Sequence, residues 1–181
     1  MHPSSAPSTV IQRHYSLGDA RLYLATAAMV MGNLALPYAV HRVPGAGPML
    51  MPILFFTLIA GWRYGLKAAV LTAALSPLVN HLLTGMPPAL ALRGLVLQSL
   101  ALGVLAALAG LRGLRPNLAN LALVVAIHQA MVLAPVLIDT GAAAALAGLR
   151  LHAPGILLQV LGGWAMLQML VRSQPDPTAG I

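Results

Sequence analysis

The chain has 181 residues, of which 59% are hydrophobic and 7% charged, and its mean hydropathy is +0.86. Soluble domains are about a quarter charged, so too few polar side chains exist here to cover a soluble globule, and the composition is that of an integral membrane protein. The net charge of +7 comes with no basic patch or aromatic platform of the kind that binds nucleic acid. The absence of cysteine excludes disulfides, thiolate metal sites and cysteine nucleophiles.

A bilayer core about 30 Å thick takes about 20 helical residues, fewer where a span is bent or buried. Residues 1–16 are polar and lack an apolar h-region or a cleavage site, so they predict a short soluble tail and no signal peptide. The membrane domain then covers 17–172. Its first span runs from Asp19 to Val40, with Asp19 as N-cap. A proline-glycine turn, Pro44 to Pro48, leads to a short second span from Met49 to Trp62. The third, Gly65 to Leu83, is interrupted at Ser76-Pro77 and stopped by Thr84-Gly85-Met86-Pro87-Pro88. A fourth runs from about Pro88 to Leu111, and a fifth from Leu118 to Ile138. The segment from Thr140 to His152 is too short to span and predicts a small helix over the outer face. Pro154 opens the sixth span, which ends at Val171. Residues 173–181 predict a disordered tail.

These spans predict an all-α bundle of six transmembrane helices. With the N-terminus inside, Arg13, Arg21, Arg63, Lys67, Arg112, Arg115 and Arg172 fall on the cytoplasmic side, and Arg42, Arg93 and Arg150 outside. Positive charge favours the cytoplasmic side, so both termini are expected there.

Polar residues at membrane depth gather in the outer half, Asn33, Asn80, His81, Gln98, Asp139 and Gln159, with His128 and Gln129 near the middle of the fifth span and Gln168 alone in the inner half. Such groups are expensive in hydrocarbon. Their placement points to a polar pocket that opens outward and is closed toward the cytoplasm. Each has a structural alternative. Asn80 and His81 either contact a ligand or tie down the carbonyl freed by Pro77. His128 and Gln129 are about 100° apart on a helix, so at most one lines the pocket. Gln98 and Gln159 contact ligand or link helices. Asp139 pairs with Arg93 or Arg150, or binds a cationic group. Trp164, after Gly162-Gly163, stacks on a flat ligand or fills space. His41 and His152 are read as solvated loop residues. On the first span, Ala25, Ala28, Gly32 and Ala35 form a strip of small side chains that lets a partner helix approach closely.

The stretch GLKAAVLTAALSPLVNHLLTGMPP, preceded by PMLMPILFFTLIAGWRY, resembles the substrate-binding S components of energy-coupling factor (ECF) vitamin transporters. The resemblance extends over most of residues 17–172. It implies a six-helix fold with a small vitamin-like solute held near the outer face. It also implies docking through the first helix on a transmembrane T component driven by two cytoplasmic ATPases, in a bacterial cytoplasmic membrane. The family's AxxxA contact is matched by Ala28 and Gly32, with glycine in the second place. No phosphate-cradling glycine loop with lysine is present, so the chain is not itself the ATPase. No cofactor or metal is expected. Neither is catalysis, since HExxH, a serine–histidine elbow and paired carboxylates are all missing. The alternative is a membrane scaffold of related fold, in which the polar residues only link helices.

Overall fold

The computed structural model describes residues 12–40 and 49–172, and among these every regular element is helical. The predicted turn at Pro44–Pro48, the outer residues His41 and Arg42, the tail 173–181 and residues 1–11 lie outside the described residues. Helix α1 spans Ala20–Val40. Asp19 caps it, its Oδ1 accepting from the Arg21 N–H at 2.9 Å. A 3₁₀ turn, Pro52–Leu54, leads into α2, Phe55–Thr84. Helices α3, Ala89–Leu111, and α4, Leu118–Thr140, follow. The last is a composite: α5, Ala142–Leu157, passes through a π turn, Leu158–Gly162, into α6, Gly163–Arg172. By length and composition, five helical stretches are long and apolar enough to cross a membrane.

Helix α2 is not one rod. Gly65 has φ 81° and ψ −173°, a conformation essentially confined to glycine. The side-chain amide of Asn33 donates to Thr57 Oγ1 at 3.1 Å and to Ser76 Oγ at 3.0 Å. In a straight helix those hydroxyls would be about 28 Å apart. The chain therefore reverses at Gly65, and the two arms of α2 lie side by side as a hairpin whose loop is a single residue. The break between Trp62 and Gly65 falls where the sequence places it.

Gly141, with φ 90° and ψ 174°, makes a second reversal of the same kind between α4 and α5. A Cβ on Gly148 would lie 3.4 Å from Leu133, so the two helices run back along each other. Here the structure departs from expectation. Residues 142–153 are not a separate outer helix but the first three turns of a continuous stretch that reaches Arg172. Pro154, expected to open a helix, sits inside α5, and the π turn follows directly after it. Removing an N–H from the ladder is absorbed by the wider turn. Pro77 is likewise carried within α2.

Leu58, Ile59, Trp62, Leu102, Leu121 and Leu167 are fully buried at the centre. Residues 12–16, expected to be a solvated tail, pack on the Gly65 end instead. The Gln12 side chain is 7% exposed and donates to the carbonyls of Gly61 at 2.8 Å and Ala107 at 3.0 Å. Arg13 N–H donates to Arg63 O at 2.9 Å. The reversal at Gly65 ends the first arm of α2, whose last carbonyls have no further turn to accept from; Gln12 and Arg13 supply donors to two of them. Tyr15 stacks on Tyr64 with ring centroids 6.2 Å apart, and Lys67 Nζ donates to Tyr15 O at 3.2 Å.

Candidate functional site

At the end opposite Gly65, the C-termini of α1, α2 and α4 meet the N-termini of α3 and α5. The run Asn80–Pro88 is built around its own backbone. Asn80 Nδ2 donates to Met86 O at 2.7 Å, and His81 Nδ1 donates to Pro87 O at 2.8 Å. Thr84 Oγ1 donates to Asn80 O at 2.7 Å, while Gly85 N–H closes the helix on His81 O. Asn80 and His81 thus anchor the turn after the helix and do not repair the carbonyl opposite Pro77. Met86-Pro87 is a cis peptide.

Two cavities border this turn. One, about 390 Å³, lies between α1 and the second arm of α2, against Met31, Ala35, Tyr38, Asn80 and Leu83. The other, about 300 Å³, is lined by Met51, Ile53, Met86, Pro87 and Leu95 and shares Pro37 and Asn80 with the first. Met51, on its wall, holds a left-handed backbone (φ 41°, ψ 49°), an uncommon conformation for a residue with a side chain.

A second group of polar residues is sealed inside the bundle. His128 and Gln159 are fully buried, and Gln129 nearly so. His128 Nε2 donates to Gln98 O at 3.1 Å. In the neutral ring that leaves Nδ1 as an acceptor, and Nδ1 has no partner among the described residues. Both amide atoms of Gln129 and both of Gln159 are also without partners among the described residues, as is His152 Nδ1. The helix register brings these groups to neighbouring levels. One turn on from the Gly148–Leu133 contact, His152 stands level with Gln129; one turn back from the approach of Gly163 to Leu121, Gln159 stands level with Val125. Six unpartnered nitrogen and oxygen atoms are therefore spread over about two turns of the composite helix, from His152 to Gln159, and the stretch of α4 that faces it. Each such atom, buried without a partner, costs about 1–3 kcal/mol. Gln159 also sits in the π turn, a feature frequent at functional sites.

The other predicted residues are placed differently. Asn33 is fully buried, with its amide engaged by Thr57 and Ser76 and its Oδ1 accepting from Phe56 N–H at 2.9 Å. Thr57 Oγ1 continues the chain to Ser99 Oγ at 3.2 Å. Those bonds join α1, both arms of α2 and α3. Gln98 contributes its backbone carbonyl to His128 and is half-buried. Asp139, Arg93 and Arg150 are all exposed, with no ion pair between them among the described residues. Trp164 is 40% exposed, on the outside of the bundle. Of the small strip on α1, Ala28 and Ala35 are exposed, and Ala25 and Gly32 are half-buried. A Cβ on Gly32 would meet the Phe56 ring at 2.7 Å, so that position is already occupied by the chain itself.

Sequence reasoning missed His152, read as a loop residue because the proline two places on was taken for a helix start. Gln12 was missed because the turn it caps has no local signature. Comparison with protein-family models, with curated proteins and with solved structures finds no match for this chain.

Proposed function

We propose that this chain is a membrane-embedded binding protein for a small, vitamin-like solute, working as the substrate-binding S component of an ECF-type importer. The observation that carries this reading is the group of atoms on His128, Gln129, His152 and Gln159 that have no partner among the described residues, on α4 and the composite helix, in contrast to the satisfied polar chain around Asn33. Buried polar groups in proteins are nearly always satisfied, and a solute bearing both donors and acceptors would satisfy these. None of the four side chains carries a fixed charge, which suits an uncharged ligand surface.

Orientation and coupling follow from the charge and from α1. Arg13, Arg21, Arg63, Lys67, Arg112, Arg115 and Arg172 lie toward the Gly65 end, and among the described residues Arg93 and Arg150 lie toward the other. That favours the Gly65 end in the cytoplasm, six crossings with the α2 hairpin counted as two, and an N-terminus inside. The outward face of the first half of α1, with Ala28 exposed and nearer the Gly65 end than the cavity at Met31–Tyr38, offers the T component a close approach. The two ATPases would act through that partner.

Native mass spectrometry of the full chain extracted from its own host tests the proposal. A small molecule should remain bound to the wild-type chain and be lost from Gln129→Leu and Gln159→Leu, and a T component with ATPases should co-purify. Finding neither the molecule nor the partners would refute it. The scaffold reading has its own support in the Asn33–Thr57–Ser76–Ser99 chain, where polar side chains do serve as helix links. Under that reading the two glutamine variants would leave the cellular phenotype unchanged.

A further inference from the structure

We infer that the cavity between α1 and the second arm of α2 is a slot for one acyl chain of a bilayer lipid, separate from the polar group on α4 and the composite helix. Helix α1 is long and apolar enough to cross the membrane, and the second arm of α2 lies against it through the Asn33–Ser76 bond, so on the proposed topology the slot lies at bilayer depth. Its volume is about 390 Å³. The rim is outward-facing: Met31 is 69% exposed, Tyr38 74% and Leu83 72%. The slot therefore opens sideways, toward the lipid. The register of the two helices is set by the bond between Asn33 and Ser76, from which both run in the same direction toward the Tyr38–Thr84 end. Met31, Leu34 and Ala35 thus form the deeper wall, and Met31 lies about 10 Å below Tyr38 along the helix.

Polar atoms are confined to the other wall and the mouth. Asn80 Nδ2 and the Thr84 hydroxyl are already committed to Met86 O and Asn80 O. Tyr38 stands two residues from the end of α1, the level at which tyrosine sits in membranes, with its ring in the apolar layer and its hydroxyl among the headgroups. There the hydroxyl can donate to the ester carbonyl of a glycerolipid whose chain fills the space down to Met31. A water-soluble solute would find few groups to recognise along this wall. An acyl chain needs only length and apolar contact, which the slot provides.

The test uses the full chain in mild detergent, stripped of lipid by repeated exchange and titrated with palmitoyl-oleoyl phosphatidylglycerol, with native mass spectrometry as the readout. A single lipid should persist on the wild-type chain after weaker adducts are removed. Ala35→Phe and Leu83→Trp fill the slot from its two walls, and each should lower that occupancy about tenfold, equivalent to about 1.4 kcal/mol of binding. Both positions are exposed, so the variants should fold, and circular dichroism with size-exclusion chromatography checks that they do. Leu157→Phe, on the exposed side of α5, should retain the lipid. Undiminished occupancy in both folded slot variants, equal loss in Leu157→Phe, or a second polypeptide seated on this face in place of lipid would each overturn the inference.

Discussion

Asn33 and Gln159 are both amides buried to the last ångström of surface, yet they predict opposite responses to the same kind of change. Asn33→Leu would strand the Ser76 hydroxyl and the Phe56 N–H and leave the Thr57 hydroxyl with Ser99 alone. Leaving partners unpaired is the expensive case, and a loss of about 2–4 kcal/mol is expected. Gln159→Leu removes a group that has no partner to strand. The solute-free protein should then be unchanged or more stable, by about 1–2 kcal/mol, while the bound molecule is lost. Thermal unfolding in detergent reads both signs. A large destabilisation by Gln159→Leu would identify it as a helix link. Both residues stand out in the sequence, because polarity within an apolar run is local information. Which of them meets a partner depends on helices distant in the chain, and that was not legible. Gln12 illustrates the same limit: nothing in residues 1–16 announces that one glutamine bonds to carbonyls 49 and 95 positions away.

Two of the helix connections shrink to one glycine each. Gly65 and Gly141 share a positive φ with an extended ψ, a region other residues reach only at a cost of about 1–3 kcal/mol. A Cβ on Gly141 would have nothing within 4 Å, and one on Gly65 only ordinary contacts. Alanine at either position should therefore destabilise through the backbone alone. Gly94, inside α3 with open space around it and no positive φ, is the control. Gly94→Ala should stabilise by about 0.5–1 kcal/mol, since it relieves only chain entropy. If all three alanine variants behave alike under thermal unfolding, the reversals are not held by glycine geometry. These breaks were legible from the sequence as changes of polarity near Arg63 and Thr140. The continuity from Ala142 to Arg172 was not, because Pro154 carries the same residue signal whether it opens a helix or is absorbed by a π turn inside one.

At the scale of the molecule, the reversal at Gly65 decides the topology, and the chain is well suited to a direct test because it contains no cysteine. If the stretch from Pro52 to Thr84 crossed once, Lys67 would be buried mid-membrane, and Met86 would emerge on the side opposite the end of α1. If the hairpin crosses twice, Lys67 lies on the cytoplasmic face beside Tyr15, to whose carbonyl it donates. Met86 then returns to the outer face, near Tyr38. Single cysteines at Lys67, Met86, Arg112 and Thr140 all stand at exposed positions. With a membrane-impermeant maleimide on intact cells, Met86→Cys and Thr140→Cys should label at once, and Lys67→Cys and Arg112→Cys only after permeabilisation. The expected sidedness rests on two independent supports: the excess of arginine and lysine at the Gly65 end, and the parallel course of α1 and the second arm of α2 that Asn33 enforces by bonding Ser76. Labelling of Met86→Cys and Lys67→Cys from the same side would contradict the second. Labelling of Arg112→Cys from outside would contradict the first, and would turn the polar group on α4 and the composite helix toward the wrong compartment for an importer.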